Sequence, residues 1–118
     1  MKVIVKKYGG TSVSSVTKIK NIAKKVVEDA THNNVVVVLS AMGKTTDQLV
    51  SLANRCTKNP DMRDYDLLVS SGEQVSISLL SMSIKDLGRD SVAYTGWQAG
   101  IRTNNSHSSA RIVDINAN

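Results

Sequence analysis

The residues best suited to chemistry come early, in Lys7-Tyr8-Gly9-Gly10-Thr11-Ser12, between an apolar stretch and a segment of helical periodicity. Two adjacent glycines remove the Cβ atoms that would hold a bulky oxyanion away from the backbone. Their N–H groups, with the positive end of a following helix, favour bound phosphate. Lys7 can set a full positive charge against a transferring phosphoryl group. Lys6 and Lys7 fall on opposite faces of a strand, so only one of them can serve such a site. The residues alone read equally well as a plain strand, glycine turn and helix with surface lysines. Gly43-Lys44-Thr45 imitates the end of a Walker A loop, but Val38 stands where that pattern needs its first glycine. No GxGxxG fingerprint is present, so a dinucleotide site is unsupported. There is no Ser/His/Asp or Cys/His arrangement and no cluster with metal-ligand spacing. His32, near a helix end, and His107, in a Ser/Asn-rich segment, read as exposed; Cys56, Met62 and Met82 read as packing residues.

The elements that must carry these residues alternate between strand and helix. Val3-Ile4-Val5 is a short buried strand stopped by Gly9-Gly10. Val13, Val16, Ile19, Ile22, Ala23, Val26, Val27 and Ala30, at spacings of three and four, predict a long amphipathic helix with Thr11 or Ser12 as N-cap. Asn33-Asn34 ends it and leads into a strand over 35–39. Strand, helix, strand is a right-handed βαβ unit with parallel strands. Continuous apolar strands imply a sheet covered on both faces. A loop over 40–44 precedes Thr45-Thr46-Asp47-Gln48, which reads as a capping box for a helix to about Arg55. Pro60 breaks the chain. Residues 75–79 alternate with period two, but Val75, Leu79 and Met82 share one helical face and Leu80, Ile84 and Leu87 a neighbouring one. With Gly88 placed as a C-cap, the segment 61–88 is read as helix. A third strand is expected over 91–95, a long loop over 96–109 and a fourth strand over 111–115.

A chain of 118 residues holds one domain, and 41% hydrophobic with 21% charged residues is ordinary globular composition. With 3% aromatics and no Phe the core must be aliphatic. The longest apolar run, Val35 to Leu39, is far short of the roughly 20 residues of a membrane helix, and Lys2, Lys6 and Lys7 interrupt any signal-peptide core. The single Cys56 excludes an internal disulfide and fits a reducing, cytoplasmic compartment, in which the glycosylation sequon Asn104-Asn105-Ser106 is idle. A net charge of +5 raises the question of nucleic acid. Lys18, Lys20, Lys24 and Lys25 instead line the solvent side of a helix, with almost no aromatics to stack bases. A small anion such as a nucleotide phosphate is the more economical partner, and a solvated basic face is the alternative.

Four ordered segments carry a resemblance. Lys7-Tyr8-Gly9-Gly10-Thr11-Ser12-Val13 resembles the N-terminal signature of aspartokinases, within the amino acid kinase family. Val36-Val37-Val38-Leu39-Ser40-Ala41-Met42-Gly43 with Thr45-Thr46-Asp47 resembles their second strand and substrate loop. Ser70-Ser71-Gly72-Glu73-Gln74 is similar to their (S/T)xGE segment. Thr95-Gly96-Trp97-Gln98-Ala99-Gly100-Ile101, through Ala110-Arg111-Ile112, is similar to their TGxQAG loop.

The resemblance implies a three-layer α/β/α sandwich with a mainly parallel sheet, of which residues 1–118 form the N-terminal part. It implies transfer of the ATP γ-phosphoryl group to the β-carboxylate of L-aspartate, giving 4-phospho-L-aspartate for lysine, threonine and methionine biosynthesis. By the same analogy Lys7 is the catalytic cation, and Tyr8, Gly9, Gly10 and Ser40 surround the phosphate. Thr46, Asp47 and Gln48 form the substrate loop and Glu73 holds the aspartate α-amino group. The partners implied are L-aspartate and ATP with Mg²⁺, the ion arriving with the nucleotide, in an oligomeric cytoplasmic parent protein. Both reactants are anions, so catalysis rests on cations, N–H donors and alignment; the acceptor carboxylate is already ionised and needs no strong base. Each residue keeps a bland reading: Glu73 as an exposed carboxylate at a helix N-terminus, Thr46 and Gln48 as a cap, Ser40 as a strand end. The nucleotide-base half and the ACT regulatory domains of such enzymes are expected to be missing, leaving a chain inactive alone. The alternatives are another carboxylate kinase of this fold, similar to acetylglutamate kinase, or a non-catalytic amino-acid-binding or assembly module. Thr11-Ser12 and the Thr-Thr-Asp loop argue against the first.

Overall fold

Seven-residue strands β1 (Lys2–Tyr8) and β2 (Asn33–Leu39) pair in parallel, in register from Lys2 opposite Asn33 to Tyr8 opposite Leu39. The computed structural model describes residues 2–96, 98, 101–103 and 112–115. The expectations for Trp97, Ala99, Gly100, His107, Ala110, Arg111 and the sequon at 104–106 lie outside them. The helix α1 (Val16–Ala30) links β1 to β2 and buries Ile19, Ile22, Ala23 and Val26, the stripe that the spacing predicts. These pack with Val13, Leu39, Leu80 and Ile84 into one aliphatic core, joined at its edge by Tyr8, Val35 and Val37. Lys18, Lys20, Lys24 and Lys25 are exposed on the far side of the helix.

The N-cap of α1 is Ser15, not Thr11 or Ser12; its side chain accepts from the Lys18 N–H at 3.2 Å. The chain needs three more residues because it first turns tightly. Ser12 N–H donates to the Gly9 carbonyl at 3.1 Å and Val13 N–H to the Gly10 carbonyl at 3.3 Å. Val13 therefore enters the core from outside the helix, fully buried.

The helices α2 (Thr45–Cys56) and α3 (Met62–Asp86) flank Pro60 as expected. The capping box at the start of α2 does not form: the N-cap is Lys44, with no side-chain cap. Gly43, at φ +46°, and a turn closed by Thr45 N–H on the Met42 carbonyl at 2.8 Å carry the chain into the helix instead. One continuous helix over 25 residues resolves the ambiguous segment, capped by Asp61 on the Asp64 N–H at 3.1 Å. Its period-two stretch is helical; Gly72, Ser76, Leu80 and Ile84 form the buried stripe. Ser76 satisfies its hydroxyl on the Gly72 carbonyl at 3.3 Å. Leu87 caps the helix, and Gly88 follows it at φ +87°. By length and composition α3 could cross a membrane; here its buried stripe packs in the core beside α1.

Further expectations are corrected. Residues 91–95 form no strand, since no described strand pairs with them; Ser91 Oγ binds the Ser81 carbonyl at 3.1 Å and Ser81 Oγ at 2.7 Å. Within the expected long loop, β3 (Ile101–Thr103) pairs antiparallel with β4 (Ile112–Ile115), whose β-branched residues favour a local ladder. Among the described residues the strands form two pairs, the parallel β1–β2 and the antiparallel β3–β4, and the parallel strands with their helices have the α/β architecture expected. The parallel pair is covered on one face among the described residues, and Val3, Val5, Val36 and Val38 are 64%, 66%, 49% and 47% exposed on the other. Cys56, Met62 and Met82, read as packing residues, are exposed, whereas His32 lies exposed just past α1, as expected.

Candidate functional site

The carboxyl ends of parallel strands are where α/β folds place their ligands, and Lys7, Gly9, Gly10 and Ser40 lie at those ends. Alternation along β1 sets Lys7 on the open face with Val3 and Val5, and Lys6 and Tyr8 on the covered face. Lys6 is committed to an ion pair with Asp29 of α1. The hydrogen bond that the ammonium donates to that carboxylate, more than any other influence, raises Lys6 above its ordinary value. Lys7 is exposed and on the side away from α1, so it is the one of the two free to face a ligand. Tyr8 does not join it through its side chain, which is half-buried against the core; its carbonyl accepts from Ser40 N–H at 3.1 Å and ties the two strand ends together.

Of the two glycines, Gly10 is the one the packing demands. A Cβ there would stand 3.2 Å from the Ala41 carbonyl oxygen and 3.3 Å from that of Gly43, and Gly43 N–H donates to the Gly10 carbonyl at 2.9 Å. Space is open where Gly9 would carry its Cβ, as a loop that admits a ligand requires. Lys18, assigned by its sequence position to solvent, reaches back to the turn: its Nζ donates to the Thr11 carbonyl at 2.9 Å. That bond spans seven residues and two conformations, so no local sequence pattern announces it. On the same side a shallow depression of about 420 Å³ lies between the turn and α1.

Ser40 is half-buried directly after β2, and the loop over 41–44 leads from it into α2. Thr46, Asp47 and Gln48 are exposed in the first turn of that helix, where unpaired N–H groups and the helix dipole favour a negative ligand. Glu73 is not at a helix N-terminus; it is exposed in the interior of α3, so the dipole reading of this carboxylate falls. Its neighbour Gly72 is buried and would set a Cβ 3.0 Å from Ala41 Cβ, 3.2 Å from Thr45 Cγ2 and 3.3 Å from Leu49 Cδ1. That contact brings the helix segment bearing Glu73 to the loop that starts α2. The arrangement thus joins a cationic strand end, a glycine turn, a helix N-terminus that carries Asp47 and the carboxylate of Glu73 around one loop. It has the donors to hold phosphate and a carboxylate to hold an ammonium group.

A profile of the amino acid kinase family matches residues 2–118, and the chain belongs to that family. Within it, the chain is 56% identical over 116 residues to aspartokinase 2 of Bacillus subtilis and 53% identical over the same length to the aspartokinase of Geobacillus stearothermophilus. Each match covers 98% of this chain but only 28% of the curated relative, so the chain spans little more than a quarter of their length. Aspartate kinase from Synechocystis has a TM-score of 0.81 at 44% identity, over 86% of this chain and 17% of its own. Aspartokinase III of E. coli, solved with aspartate and ADP, shares the fold at 22% identity, with a TM-score of 0.81 over 95% of this chain and 35% of its own.

Proposed function

We propose that this chain supplies the phosphate turn and the acceptor side of an aspartokinase, which transfers the γ-phosphoryl group of ATP to the β-carboxylate of L-aspartate. The product is 4-phospho-L-aspartate, an entry intermediate for lysine, threonine and methionine. One observation carries the reading: Lys7, Gly9-Gly10, Ser40 and the first turn of α2 meet at the ends of the parallel strands, with Glu73 brought alongside by Gly72. The same segments resemble aspartokinase motifs, and the identities above support that subgroup.

In this reading Lys7 offsets negative charge on the transferring phosphoryl group, and the backbone donors of Gly9 and Gly10 hold its oxygens. Ser40 lies where the acceptor carboxylate would approach, and Thr46, Asp47 and Gln48 orient the amino acid from the start of α2. Glu73 pairs with the substrate ammonium. The β-carboxylate attacks as it stands, its oxygen bonding to γ-phosphorus while the bond to the ADP oxygen breaks. Mg²⁺ belongs to this reading only as the ion carried by the nucleotide. Among the described residues no group of three or more His, Cys, Asp or Glu stands together to hold it.

The test is ATP-dependent acyl-phosphate formation by the longer protein that carries this chain, trapped with hydroxylamine. L-aspartate, L-glutamate and N-acetyl-L-glutamate are offered in parallel. Product with L-aspartate alone is expected. Product with N-acetyl-L-glutamate instead assigns an acetylglutamate kinase, and aspartate binding without product assigns a non-catalytic module.

A further inference from the structure

Residues 41–45 are gripped from two directions by glycines. Gly10 approaches from the phosphate turn, against the carbonyls of Ala41 and Gly43, and Gly72 approaches from α3, against the side chains of Ala41, Thr45 and Leu49. Gly72 stands in a helix interior, where glycine is among the poorest residues for the helix itself. Its backbone is ordinary helix, so no left-handed conformation calls for glycine. Close approach is the remaining reason. Carbon atoms pack best about 3.5–4.0 Å apart. A Cβ at 3.0 Å from Ala41 Cβ and 3.2 Å from Thr45 Cγ2 would drive α3 off the loop by some tenths of an ångström.

We infer that Gly72 is a positioning residue for the acceptor: its missing side chain lets α3 rest on residues 41–45 and so sets the distance between Glu73 and the first turn of α2. The inference rests on the proposed roles of Glu73 and Thr46 in holding aspartate. It assigns selectivity for the acceptor to a backbone contact that touches no substrate. The phosphate turn meets the same loop at backbone atoms of Ala41 and Gly43, whereas the atoms nearest a Gly72 Cβ are the side-chain atoms of Ala41, Thr45 and Leu49. Substitution at Gly72 therefore acts on the amino acid and spares the nucleotide.

The test uses the longer protein that carries this chain, with Gly72→Ala, Ala41→Gly, the double variant and Glu73→Gln. Gly72→Ala should raise KM for aspartate by about tenfold and leave KM for ATP within about twofold, as expected for an acceptor misplaced by a fraction of an ångström. Its thermal midpoint should move by only about a few degrees, because the better helix propensity of alanine offsets part of the cost of crowding the loop. Ala41→Gly in the same chain removes the opposing Cβ and should restore most of the loss. An unchanged aspartate KM, an equal rise in both KM values, or no rescue by Ala41→Gly overturns the inference. Should Gly72→Ala not fold, Ala41→Val crowds the same contact from the loop side and carries the same expected and overturning results. Glu73→Gln separates the two levels: if it leaves aspartate KM unchanged, the reading of Glu73 itself fails. If it raises that KM while Gly72→Ala does not, only the role of Gly72 fails.

Discussion

Two adjacent lysines on one strand have opposite fates, and the pleat alone decides between them. Lys6 turns to the covered face and is held by Asp29, whereas Lys7 turns to the open face. Replacing Lys7 with Met should lower phosphoryl transfer by the longer protein by about 100-fold or more, the order found when a charge-stabilising donor is removed. Lys6→Met should leave kcat within about twofold, because that ammonium faces α1 and not the transferring group. Steady-state assays of both variants decide the assignment; a large loss from Lys6→Met with none from Lys7→Met reverses it. The pair also has a pH signature. Lys6 is raised in the folded protein, so its contribution is fully present below the ordinary lysine value of 10.5 and is lost as pH climbs through the raised one. Lys6→Met should therefore lower stability across neutral pH and flatten its alkaline fall.

At the scale of elements, legibility followed locality. The stripe of α1, the parallel pairing of β1 with β2 and the length of α3 all rest on periodicity within a segment, and the structure has them as the spacing predicts. What failed depends on partners elsewhere. A strand over 91–95 needs a neighbour to pair with, and Ser91 binds α3 instead. The capping box at Thr45 gives way because the glycine-led turn at 42–45 already delivers the chain to α2. The candidate site is legible in kind but not in geometry: the sequence offers Glu73, yet its place in a helix interior follows only once α3 is seen to be unbroken. The start of α1 tests this distinction. Ser15→Ala removes the cap on Lys18 N–H, and a loss of about 1 kcal/mol should speed amide exchange there about fivefold. Ser12→Ala, at the sequence-favoured position, should leave that exchange unchanged, because the Ser12 bond is made by its backbone N–H.

For the molecule as a whole, the open face of the parallel pair matters most. Val3, Val5, Val36 and Val38 stand there in a row that ends at Lys7. Apolar surface of this kind is favourable only when covered, at roughly 25 cal/mol per Å² removed from water. The same cover decides the chemistry. A charge in bulk water interacts several-fold more weakly than one in a protein interior, so Lys7 on an uncovered face stabilises little transferring charge. The chain spans 28% of the length of the curated relatives it matches, and those relatives have ample further polypeptide to provide such cover. Hence the 118-residue chain by itself should form no trapped acyl phosphate with ATP and L-aspartate, and should bind an apolar dye and self-associate as its concentration rises. Val5→Thr with Val36→Thr should suppress the association without restoring turnover, since it removes apolar area but adds no shield around Lys7. Sedimentation of both chains, beside the hydroxylamine assay, measures this directly. Turnover by the short chain at the rate of the longer protein would show that Lys7 works in open solvent, and the argument from cover would fail with it.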